Sequence, residues 1–279
     1  MKTIVLSLAF FSLTGIAFAQ KTKDFTTMSS LIKEAKEKGH ARQADSIAHD
    51  YIDKYLFKLK ENELMTVANL GLIKEFLKAD SKGFKFFIKR SEKINTVLGD
   101  YAAQYGIRIA IYNAFMPKGD IAERKKTDWK SLEKRITDKY GEVGLEEVLA
   151  NAMATYLEAE DWVNFGKYYM LYFAKALKHP VYHVNNLSWP LFEHVEDQNI
   201  LKFACKMMKY KLENGDKNNI EAYDTYANLL HKAGRTKEAI EWEEKAVSMK
   251  NGQPDEKIYT NTLEKMKKGL PTWVLPVKN

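Results

Sequence analysis

Cysteine is nearly absent: Cys205 is the only one in 279 residues. No disulfide can therefore close within the chain, even in an oxidising compartment where small folds rely on such bridges. A catalytic thiol would need an activating base, and no histidine stands near Cys205 in the sequence. Proline and glycine are also scarce, at 6 and 14. They fall between periodic segments and leave no long linker or low-complexity tract. Charge of one sign never accumulates. Lys and Arg total 44 against 37 Asp and Glu, but the signs interleave, as in Lys33-Glu34-Ala35-Lys36-Glu37-Lys38. That is the pattern of solvated helix faces. Without a dense basic tract, nucleic acid is not an expected partner; the excess implies at most weak attraction to anionic envelope surfaces. No glycine-rich phosphate loop, Gly-x-Ser-x-Gly elbow or distinct carboxylate pair occurs. No cofactor, metal site or catalytic residue is expected.

Long apolar runs are missing too, except at the start. Lys2 precedes an apolar stretch over residues 4–16, and Ala17-Phe18-Ala19 offers the small-x-small pattern cut by signal peptidase. The stretch is shorter than the ~20 residues a membrane-spanning helix needs. An uncleaved anchor is the alternative. No cysteine follows the cut, so no lipid acceptor is present. Residues 1–19 are expected to be a signal peptide, and the mature chain to be soluble in the periplasm or outside the cell with no transmembrane span.

What the chain has in abundance is helical periodicity. Ala44, Ile47, Ala48, Tyr51, Ile52, Tyr55, Leu56 and Leu59 follow the i, i+3, i+4, i+7 spacing of one helix face. Similar stripes cover 67–77, 84–94, 101–115, 129–140, 145–157, 162–177, 182–192, 200–208, 223–230, 239–249 and 258–266. Punctuation agrees: Thr127 or Asp128 can cap the helix at Trp129, Gly141 follows its end, and Pro117 and Pro180 close two others. About a dozen helices with short connections predict antiparallel neighbours.

One stretch carries more than periodicity. Tyr223, Tyr226, Ala227 and Leu230 face one way, Gly234 turns the chain, and Ala239, Ile240, Ala246 and Val247 follow. This resembles the tetratricopeptide repeat, in which small residues let paired helices nest within a unit of ~34 residues. Glu243 departs from it, standing where the family usually has an aromatic, and Asn251 where proline is frequent. Helix openings near 144, 184 and 219 recur on a similar scale, and a last helix over 255–268 would cap the stack. The expectation is an all-α fold of stacked antiparallel hairpins, a TPR-like solenoid, divided into residues 1–19, 20–142 and 143–279.

A wider resemblance rests on Asp128-Trp129-Lys130, Lys139-Tyr140-Gly141, Asn185-Asn186 with Trp189, and Asp224 to Leu230. Glu238-Ala239-Ile240, Glu244-Lys245-Ala246, Leu263 to Lys267 and Trp273 complete it. The set is similar to the helical C-terminal extension of exported thioredoxin-family proteins of Bacteroidota. Those proteins carry a Cys-x-x-Cys domain that this chain lacks. The resemblance thus implies a helical accessory module, with a possible place near envelope thiol chemistry, and not redox activity.

Candidate chemistry is thin. His179 and His183 have metal spacing, but Pro180 breaks a single helix between them and no glutamate completes the set. His194 with Glu193, Glu196 and Asp197 suits either a weak hard-cation site or a solvated turn. Trp162, Phe165, Tyr169, Tyr172 and Phe173 read as core. The expected function is a non-enzymatic binding or scaffold module for a protein or peptide segment. The alternatives are an accessory of an envelope thioredoxin-type system and a helical enzyme with dispersed residues. Glu221, Asp224, Asn228, His231 and Lys232 form a polar stripe at helical spacing, the candidate contact surface. Ordinary solvated helix surface has the same pattern.

Overall fold

The computed structural model describes residues 24–176, 179–180, 182–215 and 217–274. The expected signal peptide lies outside them. Among the described residues are fourteen α-helices, packed in adjacent pairs, one 3₁₀ turn and no strand. None of these helices is long and apolar enough to cross a membrane. The chain divides after Phe115 into two compact units.

The first unit holds α1 (Phe25–Glu37), α2 (Ala41–Lys54), the 3₁₀ turn (Leu56–Lys58), α3 (Glu61–Leu64), α4 (Val67–Glu75), α5 (Lys82–Leu98) and α6 (Ala102–Phe115). Asp24, Thr66 and Ser81 start α1, α4 and α5 by accepting a backbone N–H of the first turn, which satisfies donors that a helix start leaves open. α1 is absent from the expected stripes. Its buried Met28, Ile32 and Ala35 make a narrow apolar seam among Lys and Glu, and α1 packs on α2 through it. α4, α5 and α6 pack together over Leu70, Ile73, Phe84, Phe87, Ile94, Ile107 and Ile111.

The second unit holds α7 (Ile121–Arg124), α8 (Trp129–Glu158), α9 (Trp162–Ala176), α10 (Val184–His194), α11 (Gln198–Asn214), α12 (Ile220–Lys232), α13 (Thr236–Lys250) and α14 (Glu256–Lys267). The stripes expected at 129–140 and 145–157 are the two halves of α8, which kinks at Gly141 with φ 65° and ψ −152°. A domain boundary at 142 would fall in this kink, whereas the compact units part upstream of it. Arg124 of α7 pairs with Glu158 at the far end of α8, so the segment after Phe115 is tied to this unit.

The aromatic row of α9 is core. Phe165, Tyr169, Tyr172 and Phe173 are buried, and the Tyr169 hydroxyl hydrogen-bonds Ser188 of α10 at 2.8 Å. Burial raises the Tyr169 phenol, which keeps it neutral and able to donate. Cys205 is buried on α11, and desolvation pushes its thiol up to about 12. In the hairpin of α12 and α13, Ala227, Ala239 and Ala246 are fully buried. The ring of Tyr226 meets Trp242 edge-on at 5.1 Å. Gly234 turns the chain with φ 80°, a conformation that glycine adopts without steric cost.

Candidate functional site

The five stripe residues of α12 have three different surroundings. Glu221 is exposed, Asp224 is half-buried, and Asn228, His231 and Lys232 are buried. They do not form one solvent-facing stripe. α12 packs against α10, α11 and α13, so little of its circumference is left free. A polar residue on such a helix needs a partner inside the protein, and each of the three buried ones has one.

The first neighbourhood is acidic. Asn228 Nδ2 donates to the Asp224 backbone carbonyl and to Asp224 Oδ1, both at 2.9 Å. Glu243 comes to the same place from α13 and is 0% exposed. Counted as a carboxylate, it has no donor for either oxygen. Desolvation first, and then the Asp224 charge, raise Glu243 to about 9; desolvation also lifts Asp224, to about 6. Raised this far, Glu243 keeps its proton at neutral pH and can donate from one oxygen to Asp224. Tyr259 of α14 faces the cluster, its phenol raised by burial and by Asp224, Glu221 and Glu243. Three helices contribute a titratable group to this neighbourhood. Glu243 is sealed from solvent, whereas Asp224 is half-buried.

This pair was not legible as a pair. Asp224 and Glu243 lie on different helices, and Glu243 reads in sequence as one of several helix-surface glutamates. The available signal was its departure from the aromatic of the repeat pattern: a carboxyl at a packing position must find a polar partner.

The second neighbourhood joins α12 to the segment after α14. Lys232, whose side chain is 1% exposed, donates to the Phe192 carbonyl and to Glu196, both at 2.8 Å. Its ammonium also lies over the Trp273 ring, 5.3 Å from the centroid. His231 Nε2 lies 2.9 Å from the Leu270 carbonyl, and Nδ1 lies 3.0 Å from Thr236 Oγ1. A carbonyl only accepts, so in the neutral ring Nε2 donates and Nδ1 accepts from the hydroxyl. Phe192 of α10 touches both Trp189 at 5.0 Å and Trp273 at 6.3 Å. Sequence reasoning reached Trp189 and Trp273 only through a resemblance and did not join them.

The remaining candidates disperse. His179 and His183 are exposed in the connection before α10. His194 stacks on Trp162 with centroids 3.9 Å apart, Glu196 pairs with Lys232, and Asp197 caps α11 by accepting from Asn199 and Ile200. Of this set only Glu193 stays beside His194, 3.8 Å from its Nε2. Among the described residues no group of three or more His, Cys, Asp or Glu is arranged for a metal ion. Comparison with protein-family models, curated proteins and solved structures found no match for this chain.

Proposed function

We propose that the chain is a non-enzymatic, TPR-like solenoid that binds an extended segment of a protein partner outside the cytoplasm. The packing order of the last helices carries this reading. α12 packs on its hairpin partner α13 and on both helices of the preceding hairpin, α10 and α11, while α13 packs on α14. Hairpins stacked each on its predecessor are what a solenoid requires, with α14 in the place of a capping helix. The buried alanines Ala227 and Ala239 supply the close approach that the repeat pattern needs. The burial of Glu243 supports binding over catalysis at this hairpin, since a general acid must reach its substrate.

The proposed contact face is carried by the first helices, α10 and α12. It includes Trp189, 36% exposed on α10, and the exposed Glu221 of α12. Trp is enriched where protein partners bind. The resemblance to thioredoxin-associated extensions adds a partner from envelope thiol chemistry. With Cys205 buried, that role runs through docking and not through a thiol of this chain. The test is a photo-crosslinking residue placed at position 189 or, as control, at the exposed position 237 of α13, in the native envelope. A specific protein adduct from 189 alone is expected. Equal labelling from both positions, or none, would remove the reading.

A further inference from the structure

The segment that follows α14 lies on the proposed contact face. α14 stops at Lys267, and Gly269, with φ 65°, turns the chain into a strap over residues 270–273. Pro271 lies in its middle and helps to keep it out of a helix. The strap is held at two points. His231 takes its first carbonyl, at Leu270, and the ring of Trp273 sits among Phe192, His231 and the Lys232 ammonium. The receiving groups have partners besides the strap. Lys232 is clamped by the Phe192 carbonyl and Glu196, and His231 by Thr236.

The strap fits this receptor incompletely. Leu270 is 50% exposed, so its apolar side chain gains little from docking. Thr272 Oγ1 is buried without a hydrogen-bond partner, a cost that a better-matched segment would not carry. The row continues past the strap to the partly exposed Trp189 through Phe192, where a longer peptide would find further aromatic surface.

We propose that residues 270–273 are a built-in placeholder for the partner, which is an extended peptide offering a backbone carbonyl to His231 and, three residues later, an aromatic side chain to Phe192 and Lys232. This rests on the binding-module reading and specifies what that face recognises. The strap competes with the partner for the same groups, so binding requires it to lift. A site available only in a minor open state binds with an apparent affinity reduced by that fraction.

The probe is a fluorescent peptide with the strap's own sequence, Gly-Leu-Pro-Thr-Trp, titrated by anisotropy. Trp273→Ala in the full chain should bind it about tenfold more tightly than the unaltered chain, corresponding to a strap open about a tenth of the time. Adding His231→Ala to that variant should abolish the gain. No binding to Trp273→Ala, or binding indifferent to His231, overturns the proposal. Concentration-dependent dimers of the unaltered chain that Trp273→Ala abolishes overturn it as well, since the face then serves strap exchange between copies. Crosslinking from position 189 with a failed peptide test would leave the binding module standing and remove only the strap's role.

Discussion

Glu243 is fully buried on α13, and burial forces it to behave as a neutral acid. Its pKa is raised from the ordinary 4.5 to about 9, by burial and by Asp224. The folded chain therefore holds a proton that the unfolded chain has released, and between these two values stability falls as pH rises. Asp224, raised from 3.8 to about 6, adds a slope of the same sign in the lower part of the window. Glu243→Gln keeps a donor for Asp224 and removes the titration. The variant should be more stable than the unaltered chain by at least about 1 kcal/mol at pH 8, and the difference should shrink toward pH 4.5. Chemical denaturation across that range measures it; a constant difference would mean that Glu243 is not protonated in the fold. Cys205 needs no proton bookkeeping. A thiol pushed up to about 12 by burial should react slowly in the folded chain and rapidly on unfolding, by thiol titration.

Helices were the most legible element, because a 3.6-residue apolar period survives any tertiary arrangement. Their ends followed local chemistry, as at Asp128, whose side chain accepts the Ser131 N–H at 3.1 Å. What periodicity missed was α1, with a seam of only three buried residues, and the joining of two stripes across Gly141. The φ and ψ there belong to a region that is essentially restricted to glycine. No side chain lies within 4 Å of a Cβ built at that position, so the cost of Gly141→Ala is backbone strain alone, about 1–3 kcal/mol. Thermal melting checks this, and an unchanged midpoint would mean that the kink relaxes into regular helix. In the α12–α13 hairpin the limiting term is space. Ala239 is fully buried, and Ala239→Arg overpacks the contact and buries a charge, with an expected loss of at least about 1–3 kcal/mol. A variant that melts like the unaltered chain would leave no nested hairpin there.

For the whole molecule, one-dimensional patterns carried the all-helical class and an expected address. Lys2, the apolar stretch over 4–16 and Ala17-Phe18-Ala19 predict an exported protein whose intact mass lacks residues 1–19; a mass that retains them removes the signal peptide. Helix content, the packed aromatic row of α9 and the nested alanines were likewise written in spacing, since burying one face of a helix imposes a period on the residues that line it. The contact surface was not. Glu221, Asp224, Asn228, His231 and Lys232 share a helical spacing, yet only Glu221 is fully exposed. Spacing states which residues share a face and is silent on what covers that face. The covering groups come from distant positions: Glu243 on the next helix, Phe192 forty residues before Lys232, and Leu270 thirty-nine after His231. Local periodicity therefore determined the helices and their apolar faces, while the tertiary structure alone decided which polar groups were buried, because burial depends on neighbours brought in by chain folding.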